Sequence, residues 1–198
     1  MQKLGRLVLK TQNVDHCARL CHASTVAGLA QVFGSGAMTN SISDLADAEC
    51  AFIIGSNNFE ARPFAGRKLM QAKRNGAKII VCDPRRTPTA KQAHLHIQHY
   101  SGTDIALLNG MMQYIIKNGW KNKEFINART LGYEDFKSCV MQEKYSLENV
   151  SKITGVPVEH IRTTCQWIHK ADKTTALYTL GITQHTVGVD NVRSIGYL

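Results

Sequence analysis

Short apolar segments that alternate with helical segments are the feature that most constrains the fold of this chain. Most of these apolar segments are followed at once by a glycine or by an Asp-Pro pair, as buried strands of a parallel sheet are. The predicted strands are Ala51–Gly55, Lys78–Cys82, Leu95–Ile97 and Thr175–Leu180.

The segments between the strands carry the start and stop signals of helices. A glycine after the last apolar repeat indicates a helix end, and a proline or hydroxyl residue before the first indicates a start. The predicted helical segments are Ile42–Glu49, Pro63–Asn75, Asp104–Lys117 capped by Thr103, Val158–Lys170 and Val189–Leu198. This order predicts an α/β fold: a doubly wound, mainly parallel sheet with helices on both faces and right-handed crossovers.

The composition narrows the class of protein. The chain has 198 residues, enough for one sizeable domain, and a formal net charge of +9. Its basic residues look dispersed, with no run longer than a pair, which argues for a phosphate-bearing ligand and against nucleic acid. Six cysteines without regular spacing indicate a reducing compartment, the cytoplasm. Neither a membrane span nor a signal peptide is predicted.

Four loops follow the predicted strands, and in such sheets ligands bind at the carboxyl ends of strands. Asp83 suits a ribose or a guanine ring, and Arg85 or Arg86 suits a phosphate. Gly55 and Gly102 would let backbone N–H groups approach a pyrophosphate. Ordinary turns use the same residue types, but their recurrence at four strand ends predicts a nucleotide-containing ligand.

A segment rich in cysteine and histidine, Asn13–Val26, precedes the first strand. Cys17 and Cys21 each lie beside a histidine, and Ser24-Thr25 is a predicted helix N-cap just beyond them. A cysteine ahead of a helix start has its thiolate stabilised, and a thiolate binds soft metals. No second pair of ligands follows for zinc, and an iron–sulfur cluster needs more cysteines. The spacing of Cys17 and Cys21 alone therefore does not decide whether they form a metal or redox site or only pack in the core.

The segment Val14-Asp-His-Cys-Ala-Arg-Leu-Cys-His22 resembles the active-site segment of the molybdenum- or tungsten-dependent formate dehydrogenases, members of the molybdopterin oxidoreductase superfamily. Later stretches resemble further motifs of that family in order and spacing. They are Gly34–Asn40, Gly55-x-Asn57, Lys73–Arg85, Gly102–Asp104 and Gly181–Gln184.

The resemblance implies oxidation of formate to carbon dioxide at a molybdenum or tungsten centre held by two pterin guanine dinucleotides. It implies that Cys21 is the metal ligand, that His22 accepts the proton or holds the substrate, and that Cys17 is a packing residue. The positions that match the cofactor-binding site are Gly55, Asn57, Glu60, Cys82, Asp83, Arg85, Gly102, Asp104, Gly181 and Gln184.

The resemblance also implies a domain truncated at both ends. Residues 1–23 would be an entry segment with the metal-ligand loop, and residues 24–198 the dinucleotide-binding α/β domain. A 4Fe-4S cluster is expected only in a preceding domain, and the catalytic arginine in a motif that follows the helix Val189–Leu198, so the chain alone is expected to be inactive. An electron-transfer subunit is the implied partner. The alternatives are a non-catalytic module that binds the pterin dinucleotide, or a remnant of another molybdopterin oxidoreductase.

Overall fold

A parallel sheet of four strands organises residues 1–198, all of which the computed structural model describes. The strand order is β3-β2-β1-β4, and every neighbouring pair is parallel. The strands are β1 (Cys50–Ile54), β2 (Lys78–Cys82), β3 (Leu95–Ile97) and β4 (Thr174–Tyr178).

Twelve α-helices surround the sheet. Short π-helical (Leu4–Val8) and 3-10 (Ser43–Asp47, Glu143–Tyr145) segments add to them. None of the helices combines the length and the apolar character that crossing a membrane requires. The α-helices are α1 (Ala18–Cys21), α2 (Ala23–Phe33), α3 (Asn58–Ala61), α4 (Pro63–Arg74), α5 (Pro88–Lys91), α6 (Asp104–Lys117), α7 (Lys123–Arg129), α8 (Tyr133–Val140), α9 (Leu147–Thr154), α10 (Val158–Lys170), α11 (Leu180–Thr183) and α12 (Gly188–Tyr197).

Both faces of the sheet are covered, as predicted. Side chains alternate across β1, so that Phe52 and Ile54 join the core formed with α6, α9 and α10, while Ile53 joins the core formed with α4 and α5. All five residues of β1 are buried, which explains its continuous apolar sequence. The fold is therefore the predicted doubly wound, parallel α/β arrangement.

The direction of winding reverses between β1 and β4. The chain moves outward from β1 through β2 to β3 and then returns, by way of α6 to α10, to add β4 on the other side of β1. Cys50 pairs with Lys78 of β2 on one side and with Thr174 of β4 on the other. The carboxyl ends of β1 and β4 therefore flank the switch point, where such sheets bind their ligands.

Local sequence signals explain the helix that links β1 to β2. Pro63 occupies the first turn of α4, and Ala65, Leu69 and Ala72 recur at helical spacing on its buried side. Full burial of a leucine such as Leu69 contributes about 1.5–3 kcal/mol. Gly76 ends the helix at a φ of +101°, a conformation that favours glycine.

Several predicted boundaries are confirmed and several are wrong. β2, β3, α6 and α10 have the predicted bounds. The last strand ends at Tyr178, not at Leu180, because Leu180 begins α11. Thr103 occupies the predicted N-cap position of α6, but it makes no capping hydrogen bond, since its hydroxyl donates to the Tyr100 carbonyl at 2.6 Å.

Two further segments differ from the prediction. The acidic segment over 42–49 forms only the short 3-10 turn, not an α-helix, before β1. Sequence reasoning gave no structure to the region between α6 and α10, where α7, α8 and α9 lie. These helices have seven or eight residues each, too few for a clear apolar repeat.

Candidate functional site

A pair of glycines joins the carboxyl ends of β1 and β4. The Gly181 N–H donates to the Gly55 carbonyl at 3.1 Å, and the Thr179 hydroxyl donates to the same oxygen at 2.9 Å. A Cβ on Gly181 would lie 2.6 Å from the Gly55 Cα, and Gly55 has a φ of +57°. Glycine is therefore required at both positions for the two strand ends to meet at the switch point.

The Gly55 N–H is not free to bind a pyrophosphate, contrary to the sequence prediction. It donates to the Cys82 carbonyl at 3.0 Å. The close approach that this glycine permits is therefore one between two strand ends. For Gly102, the role of letting backbone N–H groups approach a pyrophosphate stays a prediction. Its φ is +83°, and no other group lies within 4 Å of a Cβ built there.

The cysteine–histidine segment is fastened beside the switch point. Cys21 ends the short helix α1, and His22 separates α1 from α2. The Thr183 hydroxyl donates to the Cys21 carbonyl at 3.1 Å, and the Ser24 hydroxyl donates to the Thr183 carbonyl at 3.0 Å. Two reciprocal hydrogen bonds thus tie the segment to α11, directly after β4.

These bonds also correct the predicted N-cap. Helix α2 begins at Ala23, one residue before Ser24, and the Ser24 hydroxyl is used by Thr183. His22 occupies the cap position without a capping hydrogen bond from its side chain.

The two cysteines of the segment differ in their surroundings. Cys21 is half-buried, whereas Cys17 is exposed at the start of α1. The prediction that Cys17 is a packing residue is therefore wrong, because its thiol is not enclosed by other side chains. Only Cys21 adjoins the residues that follow β4.

His22 is poised to be neutral. Its Nδ1 lies 3.2 Å from the Thr25 hydroxyl. Burial, with a further contribution from the positive charge of Arg62, lowers the pKa of His22 below its ordinary value. A neutral imidazole near neutral pH can accept a proton.

Two residues near His22 were missed by the sequence reasoning. One is Arg62, which follows α3 and is exposed. The other is Tyr178, the last residue of β4, whose hydroxyl lies beside the Thr25 side chain and whose pKa is raised by burial. The position of Tyr178 at a strand end was a readable signal, since ligands bind at the carboxyl ends of parallel strands, whereas no comparable signal marked Arg62.

The loop after β1 contains a polar network and two unsatisfied groups. The Thr89 hydroxyl donates to Asn57 Oδ1 at 2.8 Å, and the Asn57 amide donates to the Glu60 carboxylate. Ser56 Oγ and Asn58 Nδ2 are buried without a partner. Buried polar atoms of this kind are usually satisfied, so this loop has hydrogen-bonding capacity that the chain itself does not use.

The loop after β2 presents a carboxylate with spare capacity. Asp83 Oδ1 accepts from the Arg85 N–H at 2.8 Å, so the turn role predicted as the alternative is real. No hydrogen bond engages Asp83 Oδ2, and Arg85 is exposed and forms no ion pair. By contrast, Cys82 is fully buried, and burial with the charges of Asp104 and Asp83 raises the pKa of its thiol well above the ordinary value.

The remaining predicted residues divide between core and surface. Asp104 is buried and its Oδ1 lies 3.0 Å from His99 Nε2, so its carboxylate pairs with a buried histidine in the interior. Gly181 is exposed, as is Gln184 at the end of α11. The structure thus joins Gly55 to Gly181, ties Cys21 to Thr183 two residues further on, and directs Cys82 and Asp104 into the interior.

The donor set limits the kind of metal that fits. No three His, Cys, Asp or Glu side chains converge in the chain, so a metal at Cys21 needs most of its ligands from another source. One soft thiolate fits a metal whose other ligands are pterin dithiolenes. A surface cavity of about 320 Å³ lies elsewhere, at the amino-terminal ends of β1, β2 and β4, and is lined by residues 46–49, 75–77 and Lys173.

Comparisons with known proteins identify the family and several similar proteins. The family model described as molybdopterin oxidoreductase matches residues 1–198. The F420-dependent formate dehydrogenase 1 subunit alpha of Methanococcus maripaludis is 53% identical over 193 residues. The match covers 98% of this chain and 28% of that subunit. Formate dehydrogenase H of Escherichia coli is 43% identical over 98% of this chain, which spans 27% of it.

A solved structure has the same fold. Acetylene hydratase from Pelobacter acetylenicus superimposes with a TM-score of 0.71 over 88% of this chain and 24% of its own, at 24% sequence identity. At that identity the likeness concerns the fold alone.

Proposed function

The chain belongs to the molybdopterin oxidoreductase family, and on that premise we propose that it forms the part of a formate dehydrogenase catalytic subunit that supplies the metal-ligand cysteine. The family implies a molybdopterin cofactor with molybdenum or tungsten. The proposed substrate is formate, and the proposed partners are an electron-transfer subunit and the rest of the catalytic subunit.

The observation that carries the proposal is the attachment of Cys21 to the switch point. Cys21 is hydrogen-bonded at 3.1 Å to Thr183, which lies two residues after Gly181 and its contact with Gly55, and this supports a site at the switch point. A parallel sheet concentrates ligand contacts at this place. Cys21 is also directly followed by His22, so a soft ligand and a proton acceptor are adjacent in sequence.

Each residue has a defined part in the proposed chemistry. A bound cofactor would supply a metal able to accept the two electrons released when formate becomes carbon dioxide and a proton. Cys21 would hold that metal through its sulfur, and its half-burial would limit exchange of this ligand with water. His22 accepts the proton, and its lowered pKa keeps it neutral until then.

The guanine dinucleotide form of the cofactor is part of the same proposal. Ser56 and Asn58, the unsatisfied groups of the loop after β1, join Asn57 and Glu60 as candidate contacts. Beyond β2 and β4 the candidate contacts are Asp83, Arg85, Gly102, Gly181 and Gln184. Cys82 and Asp104 are proposed to support these loops from the core instead, because the Cys82 thiol is part of the hydrophobic core and the Asp104 carboxylate already pairs with His99.

The remaining elements of the proposal concern the whole protein. Residues 1–23 are the entry segment with the metal-ligand loop, and residues 24–198 hold the dinucleotide. A 4Fe-4S cluster is placed in another domain of the catalytic subunit. All six cysteines are free thiols, which supports a reducing compartment such as the cytoplasm.

A chimera tests the proposal. This chain would replace the matching 193-residue stretch of the Methanococcus maripaludis subunit, and formate-dependent dye reduction would be measured. We expect the chimera to oxidise formate. A chimera that folds and contains metal and pterin but does not oxidise formate would favour a non-catalytic binding module. Turnover of another substrate only would assign the chain to a different molybdopterin enzyme.

A further inference from the structure

The positive charge of the chain is concentrated in one segment. Residues 62–91 contain nine lysines and arginines against one aspartate, so they hold +8 of the net +9. The basic residues are therefore not dispersed, contrary to the sequence prediction, which looked only for continuous runs. The one aspartate, Asp83, is buried and does not neutralise the surface.

Helix α4 displays the centre of this segment. Its outward residues recur at three- and four-residue spacing, on the side opposite the apolar residues that pack on the sheet. These outward residues are the α4 stripe: Phe64, Arg67, Lys68, Gln71 and Arg74.

An exposed aromatic ring lies among the cations of the α4 stripe. Phe64 is 50% exposed. The Arg67 guanidinium lies 5.2 Å from the centroid of this ring, and the Lys68 amine lies 6.0 Å from it. An aromatic ring with flanking arginine is the composition of the centre of a protein–protein interface.

The cations of the segment are not paired within the chain. None of its nine lysines and arginines forms an ion pair, and the five ion pairs of the protein all lie elsewhere. Unpaired like charges repel one another in the folded chain, and an oppositely charged partner relieves this repulsion.

We propose that the α4 stripe is a docking surface for an acidic protein surface that carries an apolar residue at its centre. A second copy of this chain does not fit, because a symmetric contact would place one basic stripe against another. Nucleic acid fits less well, because cations already lie over the Phe64 ring that a base would stack on. The proposal is independent of the proposed catalytic function.

Two synthetic peptides test the proposal on the 198-residue chain. One is a fluorescent glutamate-rich peptide with a central leucine, and the other has glutamine in place of that leucine. We expect the leucine peptide to bind about five- to tenfold more tightly. Arg67→Glu with Lys68→Glu should weaken both peptides at least about tenfold, and a Gln pair at the same positions should weaken them less.

Matched variants separate this surface from general charge effects. Lys123→Glu with Lys144→Glu makes the same charge change at exposed positions outside the segment, and binding should change less than about twofold. Phe64→Ala should remove the preference for the leucine peptide and leave the glutamine peptide nearly unaffected.

Several results would overturn the proposal. Equal losses of peptide affinity in the α4 variant (Arg67→Glu with Lys68→Glu) and in its control (Lys123→Glu with Lys144→Glu) would mean that net charge alone binds the peptides. An unchanged leucine preference in Phe64→Ala would mean that the ring is not the anchor. Tighter binding of a 20-base-pair DNA duplex, or of phosphatidylserine vesicles, with loss in the α4 variant would assign the stripe to nucleic acid or to a lipid surface.

Discussion

The Thr183 hydroxyl donates to the Cys21 carbonyl at 3.1 Å, across 162 positions of sequence. Ser24 returns a hydrogen bond to the Thr183 carbonyl, so each segment holds the other. The position of Cys21 is therefore fixed by α11, which follows β4, as well as by α1. The stability of this connection can be tested without cofactor.

Thr183→Val should loosen the segment that carries Cys21. Valine keeps the shape of threonine but cannot donate the hydrogen bond, whose net value is about 1 kcal/mol. The rate of alkylation of Cys21 by iodoacetamide should then rise about fivefold, while that of the exposed Cys17 stays unchanged. Thr164→Val is the control, because the Thr164 hydroxyl bonds only to His160 within α10. A similar rise in both variants would refute the local connection.

Gly181→Ala should destabilise the fold. The new methyl group would lie 2.6 Å from the Gly55 Cα, with backbone that cannot move aside cheaply. Overpacking of this kind costs about 1–3 kcal/mol in free energy of unfolding, measurable by denaturant titration. Gly196→Ala is the control, since its Cβ would meet only side-chain atoms of Val32, the nearest at 3.1 Å. Equal stability of Gly181→Ala and the wild type would mean that the two strand ends are not in contact.

Arg62→Gln should raise the pKa of His22. Burial is the larger cause of the lowered value and the Arg62 charge the smaller, so the shift should shrink but not vanish. An NMR titration of the His22 ring measures it. His94 is an internal control, because its pKa is lowered by burial and by Lys73 and Lys78, and not by Arg62. An unchanged His22 pKa would separate Arg62 from the site.

The same shift predicts a pH dependence of stability. Because the folded pKa of His22 lies below its ordinary value of 6.5, the unfolded chain takes up a proton that the folded chain resists. The His22 contribution should therefore fall as the pH drops from 6.5 to the folded pKa, and level off below it. In Arg62→Gln this acid loss should be smaller. Denaturant titrations of both proteins across this pH window measure the difference.

Asp83→Asn should weaken nucleotide binding without unfolding the loop. Asparagine can still accept from the Arg85 N–H, so the turn survives, but the charged acceptor is lost. Hydrogen bonds to charged groups contribute about 1.5–3 kcal/mol, so affinity for GDP should fall about ten- to a hundredfold. Calorimetric titration with GDP measures this. Unchanged affinity with a lowered melting temperature would leave Asp83 as a turn residue only.

The sequence predicted those parts of the molecule whose signals are local. Lys78–Cys82 is a continuous apolar run between a glycine turn and Asp-Pro, and Asp104–Lys117 has an acid in its first turn and Gly119 beyond its end, so their bounds were readable. The parallel sheet follows from the alternation of such segments.

The parts that failed depend on contacts between distant residues. Whether the Gly55 N–H is free depends on Cys82, which lies on a neighbouring strand. Whether the Asp104 carboxylate faces a ligand depends on His99, which pairs with it in the interior. Motif positions indicate where a ligand site lies, but only the packed structure shows which groups remain available to it.

The proposed role of Cys21 as the metal ligand is tested most directly by comparing Cys21→Ser with Cys17→Ser in the chimera with the Methanococcus maripaludis subunit. Serine keeps the size of cysteine but replaces a soft sulfur ligand with a hard oxygen, which a metal in a sulfur-rich shell binds poorly. The measurement is formate-dependent dye reduction per bound metal. We expect a loss of about a hundredfold or more for Cys21→Ser and little change for Cys17→Ser. Equal loss in the two variants, or full activity in Cys21→Ser, would contradict that role.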